Sequence, residues 1–209
     1  MVGNDVVDIA DTRRRARHAG FDARVFNDCE RRAIADDDDG EARRWAHWAA
    51  KESAFKVVKR ADPATVFSPV KFAVRLDGAF DGGRDGELCG SVQHGSVSYP
   101  VRVRRHGDCI HAVAVAPGGH PSAMLAGVGP YPDDAGADSP SRAVRRLAIR
   151  DLAPRLATFA SDLVIRSSER IPRLQHRDGR DVATLSLSHH GRFVAYACEL
   201  GGDAAGVSR

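Results

Sequence analysis

No glycine or proline interrupts the chain from Ala42 to Ala61, and this run constrains the fold more than any other stretch. Its residues are mostly good helix formers set among large apolar side chains, which predicts one long helix. Ala46, Ala50, Ala54 and Val57 mark one side, with small side chains suited to close packing. Trp48, Glu52, Lys56 and Lys59 recur at spacings of four, four and three, so they share another side. Few positions remain for a solvent face, and the helix is expected to be buried along much of its length. A carboxylate and two lysines on such a helix need partners, because an unpaired buried charge is costly. An internal Glu52–Lys56 pair is the simplest partnership, although an exposed pair of this kind contributes only about 0.2–0.5 kcal/mol. A site that uses these charges is the alternative, and the two ends of the chain decide between them.

A chain of 209 residues can bury a full core, as one domain or as two small, closely packed lobes. Hydrophobic residues at 43% and charged residues at 28% are ordinary globular values. A formal charge of +3 is too mild to argue for nucleic acid and fits an acidic protein partner or a phosphate-rich ligand. Cys29, Cys89, Cys109 and Cys198 are scattered without CxxC spacing, which reads as free thiols in a reducing compartment and gives zinc no support. The first residues lack a basic, then apolar, leader, and no apolar run approaches the roughly 18 residues that span a bilayer. A soluble, cytoplasmic protein with no membrane partner is the expectation.

Residues 2–9 read as a short strand carrying Asp5 and Asp8, which at a spacing of three fall on opposite faces. Gly3 lets another group approach the backbone closely beside Asp5. The basic stretch Arg13, Arg14, Arg15, Arg17 and His18 reads first as solvated surface. Asn27 and Glu30 read as the N-cap and third residue of a capping-box helix start. Asp36 to Asp39 form an acidic turn without the spacing of a calcium loop, and the long helix ends before Asp62-Pro63. Strands are expected over 70–76, 87–92, 97–104 and 110–116, the last alternating Ile110, Ala112, Ala114 against His111, Val113, Val115. Residues 118–140 read as a linker between a lobe of residues 1–117 and a lobe of residues 141–209. A second helix is expected over 141–160, with Val144, Leu147, Ala148 and Leu152 on one face. Strands follow at 163–165, 174–176 and 183–187, then a turn from Ser188 to Arg192 into a last strand over 193–200 and a frayed tail. Helix followed by sheet thus occurs twice, without a sequence repeat.

Three patches carry chemistry: Gly3-Asn4-Asp5, Trp48 to Lys56, and Ser186-Leu187-Ser188-His189-His190-Gly191-Arg192. Asp5 beside a glycine and Glu52 on a buried helix can supply two hard oxygen ligands to magnesium, which completes its shell with water and substrate phosphates. Lys51 and Lys56 nearby would neutralise phosphate oxygens. The Ser188 hydroxyl and His189 imidazole are good phosphate binders. There is no G-x-S-x-G elbow, and a serine directly before a histidine is a poor arrangement for a triad. No P-loop or G-x-G-x-x-G fingerprint is present.

Taken together, Gly3-x-Asp5, Trp48-x-x-Lys51-Glu52-x-x-x-Lys56 and Ser186-x-Ser188-His189-x-Gly191-Arg192 resemble the 4′-phosphopantetheinyl transferase superfamily. Phe26-x-x-x-Glu30, the segment from Phe67 to Phe72, and Arg170-Ile171-Pro172-Arg173-Leu174 resemble further marks of that family, with Arg170 where glycine is usual. The motif order, G-x-D then K-E then S-H, is that of the short, trimeric holo-acyl-carrier-protein synthases. The length approaches that of the single-chain type, which places S-H first, folds as two similar halves, and adds an acid where this chain has Val7.

The resemblance implies an α+β fold of two similar lobes, a pseudo-dimer with the active site in the cleft between them. It implies a magnesium ion held by Asp5 and Glu52 on the pyrophosphate of coenzyme A, with Asp8 a doubtful helper. Lys56, with Lys51, would balance charge on the leaving 3′,5′-ADP, and Ser188, His189 and Arg192 would bind the nucleotide phosphates. Glu52 would take the proton from the serine hydroxyl of an apo acyl or peptidyl carrier protein, which then receives phosphopantetheine. The basic faces at 13–17 and 142–150 would meet an acidic carrier of a fatty-acid, polyketide or peptide-synthetase pathway. An active monomer is expected. The competing readings are a non-catalytic module that holds a carrier or coenzyme A, and a different magnesium-dependent phosphotransferase.

Overall fold

The long run without glycine or proline forms helix α4 (Gly40–Ala61), started by Asp39, whose side chain accepts from the Ala42 N–H at 3.1 Å. It ends where expected, at Asp62-Pro63. Ala46, Ala50, Ala54 and Val57 are buried against the first of two sheets. The computed structural model describes residues 1–14, 18–80, 84–131, 139–168 and 171–200. Of the basic stretch, residues 15–17 lie outside the described residues, as do Arg170 and the tail from 201.

The first sheet comprises β1 (Val2–Asp8), β2 (Phe72–Asp77), β3 (Asp85–His94), β4 (Val97–His106) and β5 (Cys109–Val115) in the order β1-β5-β4-β3-β2. Between β1 and α4 run three short helices, α1 (Ile9–Arg14), α2 (Phe21–Val25) and α3 (Asp28–Ala35). Helix α3 opens with the predicted capping box of Asn27 and Glu30. The second sheet comprises β6 (Leu125–Pro130), β7 (Leu163–Ser168), β8 (Ile171–His176), β9 (Asp181–His190) and β10 (Phe193–Leu200) in the order β6-β10-β9-β8-β7. Helix α5 (Pro140–Leu152) covers it through Val144, Leu147, Ala148 and Leu152.

Each lobe is therefore a strand, a helix and a four-strand antiparallel meander whose last strand returns beside the first. The two sheets face each other, with β1 lying across β9 and β10, and the helices cover the outer faces. Val2, Val113, Val115 and Ala197 pack at one end of the shared face; Val6, Cys109 and Ala195 pack at the other.

Four sequence expectations change. Strand β5 does not alternate between core and solvent: all seven residues are buried, because α4 covers one face and the second sheet the other. The stretch 118–140 is not a plain linker, since β6 within it pairs with β10 through Leu125 to Pro130. Gly127, Gly129 and Pro130 disguise that strand as loop. The second helix stops at Leu152 rather than 160, because Pro154 has no N–H to donate and its ring clashes with the preceding turn. Finally, Ser188 and His189 lie on β9 itself; only Gly191, at φ +50°, and Arg192 make the turn into β10.

Candidate active site

A cleft of about 830 Å3 opens between the lobes. Lys56, Lys59 and Arg60 of α4 form one wall, and Arg145 of α5 with Ser188 and His189 of β9 the other. The volume lies within the roughly 300–1,000 Å3 typical of cofactor and substrate pockets. Two of these cations are pinned by carbonyls rather than paired with acids. Lys59 donates to Pro63 O and Thr65 O, and Arg60 donates to Val2 O of β1 and Leu185 O of β9. Arg60 thereby ties both lobes to α4. Its spacing of four from Lys56 was the available signal for it.

Gly3 makes the join between β1 and α4 possible. A Cβ there would stand 2.1 Å from Ser53 O, so only glycine lets the strand lie this close. That approach brings Asp5 to Lys56, whose ammonium donates to Asp5 Oδ1 at 3.0 Å and to Asn4 O at 2.7 Å. The expected internal Glu52–Lys56 ion pair does not form, among the described residues. Glu52 instead lies close enough to feel both charges. Burial first, then the negative charge of Asp5, push its carboxyl up to about 7, with Lys56 acting the other way. No hydrogen-bond donor reaches the Glu52 carboxylate among the described residues. Two neighbouring carboxylates, one kept from ionising by burial and by the charge of the other, fit a divalent cation. Among the described residues no group of three or more His, Cys, Asp or Glu comes together, so these two carboxylates are what the site offers a cation.

Asn4, between Gly3 and Asp5, is a residue that the sequence motif quoted without assigning. It is wholly buried at the seam. Its backbone N–H donates to Ser186 Oγ at 2.9 Å, and its Nδ2 donates to Ser188 Oγ at 2.8 Å. Its amide also meets His111 Nε2 at 3.1 Å. Burial and neighbouring cations push His111 down to about 3, so the ring is neutral and Nε2 accepts. Ser188 is thus oriented from the acid-bearing strand of the other lobe.

Two expected phosphate ligands are elsewhere. Lys51 is fully buried on the far side of α4, where Nζ bonds both Glu30 oxygens at 2.7 and 2.8 Å and the carbonyls of Pro69 and Phe72. Its donors are spent, so it is an internal ion pair and not a ligand of the cleft. Glu30 also accepts from Val74 N at 2.6 Å and from Asn27 N. Phe67 packs on Trp48, Phe55 and Phe72 beside them. Arg192 likewise turns away from the cleft: Nε and Nη2 each donate to Asp8 at 2.7 Å, and Nη2 reaches Asp108 at 3.5 Å. Asp8, on the opposite strand face from Asp5 as predicted, is the anchor of this clasp. Nor do Asp5 and Glu52 themselves line the cleft; they adjoin it through Lys56.

Two α+β lobes that enclose a cation-lined cleft, with a carboxylate pair at its edge, define a protein suited to gripping a phosphate-rich ligand. Residues 1–98, a little under half of the chain, match the family model described as the 4′-phosphopantetheinyl transferase superfamily. The matched span includes Asp5, Glu52 and Lys56 and ends within β4, so the Ser188–His189 wall lies beyond it. No curated protein and no solved structure matches the chain. No helix among the described residues is long and apolar enough to cross a membrane.

Proposed function

We propose that the chain transfers the 4′-phosphopantetheine of coenzyme A to a serine hydroxyl of an apo carrier protein, in the manner of a holo-acyl-carrier-protein synthase, and releases 3′,5′-ADP. The observation that carries this reading is the convergence on one cleft of Lys56, from the matched region, with Ser188 and His189, more than a hundred residues later. Asp5 and Glu52 would hold magnesium, which when bound neutralises charge on the pyrophosphate.

Coenzyme A lies along the cleft with its phosphates against Lys56, Lys59, Arg60 and Arg145, and with Ser188 and His189 donating to phosphate oxygens. Two N–H groups of Lys56 are engaged by Asn4 O and Asp5, which leaves one of three for a phosphate oxygen. Glu52, directly or through water, takes the proton of the carrier serine. The serine oxygen attacks the β-phosphorus, and the bond to the bridging oxygen breaks as 3′,5′-ADP leaves. The cations of the cleft stabilise the charge that develops there. Both walls belong to one chain, which supports a monomer as the working unit.

Mass spectrometry of a panel of apo carriers incubated with coenzyme A and magnesium tests this. One carrier or class of carriers gains a phosphopantetheine group, and Asp5→Ala and Glu52→Ala abolish the gain while leaving circular dichroism unchanged. Coenzyme A binding without any gain on fatty-acid, polyketide or peptidyl carriers would leave a binding module instead.

A further inference from the structure

On the face of the first sheet opposite α4, β4 presents Arg102, Arg104 and His106 in alternation, and β5 adds His111 beside Arg104. Strand β6 lies against them, and the residues enclose a cavity of about 170 Å3 completed by Ala126, Gly127 and Val128. It shares no lining residue with the larger cleft.

The cations in it are not equally provided for. Arg104 pairs with Glu87 at 2.5 Å, and His106 faces Asp85 at 3.7 Å. Arg102 is only 7% exposed, yet among the described residues no hydrogen bond or ion pair reaches its guanidinium. Burial and the charge of Arg104 both work against its ionised form, with Glu87 and Cys89 opposing them. Arginine stays protonated under such conditions, so the surroundings must bear an uncompensated charge. The cavity that Arg102 lines holds a second guanidinium and two imidazoles but no carboxylate, a lining that selects an anion.

We propose that this cavity is a binding site for a single tetrahedral oxyanion of the phosphate or sulfate type, anchored by Arg102 and separate from the cleft. A guanidinium presents a planar fork of donors that matches two oxygens of such an anion. Arg104 and the two imidazoles add donors around the same space. With a water occupying about 30 Å3 in the liquid, the cavity has room for one oxyanion and a little water. It falls well short of the roughly 300 Å3 at which pockets begin to take larger ligands. The site bridges β4 of one lobe and β6 of the other, so its occupant ties the lobes together and stabilises the folded chain.

The test is thermal unfolding of the full chain in inorganic phosphate against chloride at matched ionic strength. Native protein melts higher in phosphate. An Arg145→Gln variant, altered in the cleft, keeps the rise. Arg102→Gln loses it, and in chloride melts no lower than native, because an uncompensated charge has been removed. In parallel, phosphate but not chloride shifts the His111 ring signals in NMR spectra of the native protein, a readout that needs no variant. The proposal is overturned if the rise is absent in native protein, if it survives in Arg102→Gln, or if the His111 signals do not move. Stabilisation by adenosine monophosphate that depends on Arg102, with none from phosphate, would overturn it too.

Discussion

Replacing Asp8 by asparagine tests how the lobes are held together. Asp8 is wholly buried at the end of β1, and its carboxylate accepts from the backbone N–H of Arg192 at 3.0 Å and from Nε and Nη2 at 2.7 Å. The Ala10 N–H adds a further bond at 3.1 Å. Burial works against the charge, but the bonds from Arg192 prevail and hold the carboxyl at about 2, against 3.8 ordinarily. At about 1.36 kcal/mol per pH unit, that gap corresponds to about 2 kcal/mol of stability from the ionised form. Because the folded value is depressed, this stabilisation is fully present above 3.8 and is lost as pH falls through about 2. Asparagine keeps the shape and removes the charge. Urea unfolding at pH 7 is followed by fluorescence of Trp45 and Trp48, both in the first lobe, and by far-ultraviolet circular dichroism of both lobes. Asp8→Asn should lose about 2 kcal/mol, and its two transitions should separate as the lobes uncouple. The deficit should narrow as pH falls from 5 towards 2. A loss below about 0.5 kcal/mol at pH 7, within the range of an ordinary surface change, refutes the reasoning. So does a deficit that is unchanged at low pH.

Lys51→Met should unfold the protein more readily by about 3–5 kcal/mol, because Glu30 is left buried without its cation; coenzyme A affinity of the folded fraction, measured by calorimetry, should hardly change. The raised carboxyl of Glu52 means that metal-free stability declines as pH rises from 4.5 through about 7, and Glu52→Gln should flatten that decline in thermal melts with a chelator present. Gly3→Ala forces β1 off α4, since its Cβ would sit 2.1 Å from Ser53 O; transfer should be lost, with the melting temperature lowered. Mixing an inactive Glu52→Ala chain with an inactive His189→Ala chain should restore no transfer, whereas recovery would mean a site assembled between chains.

The fold was legible where one local rule dominates. Helix α4, the Asn27–Glu30 capping box and the last strand follow from composition, capping chemistry and apolar patterning. Strand β6 was not legible, because its glycines and proline read as loop and only pairing with β10 makes it a strand. The charged motif residues show the same division. Lys51, Glu52 and Lys56 are close in sequence, but one helical turn separates chemistry from architecture. Lys56 faces the cleft, while Lys51 points into a core of Glu30, Phe67 and Phe72. Arg192 reads as a phosphate ligand until its partner Asp8 is seen, 184 residues away. Asn4 acts through a contact with β9 that no spacing in the chain announces.

The ammonium of Met1 lies 2.6 Å from Glu199 Oε2, so the outer ends of the two lobes meet in space. Both lobes repeat the sequence strand, helix, meander. Linking residue 200 to residue 1 and opening the chain between β5 and β6 would yield a circular permutant with every sheet pairing intact. In that permutant the serine–histidine strand would come before the glycine–aspartate strand, the order that the resemblance associates with the single-chain type. Motif order in such a scaffold depends on where the chain is opened and not on which strands pair.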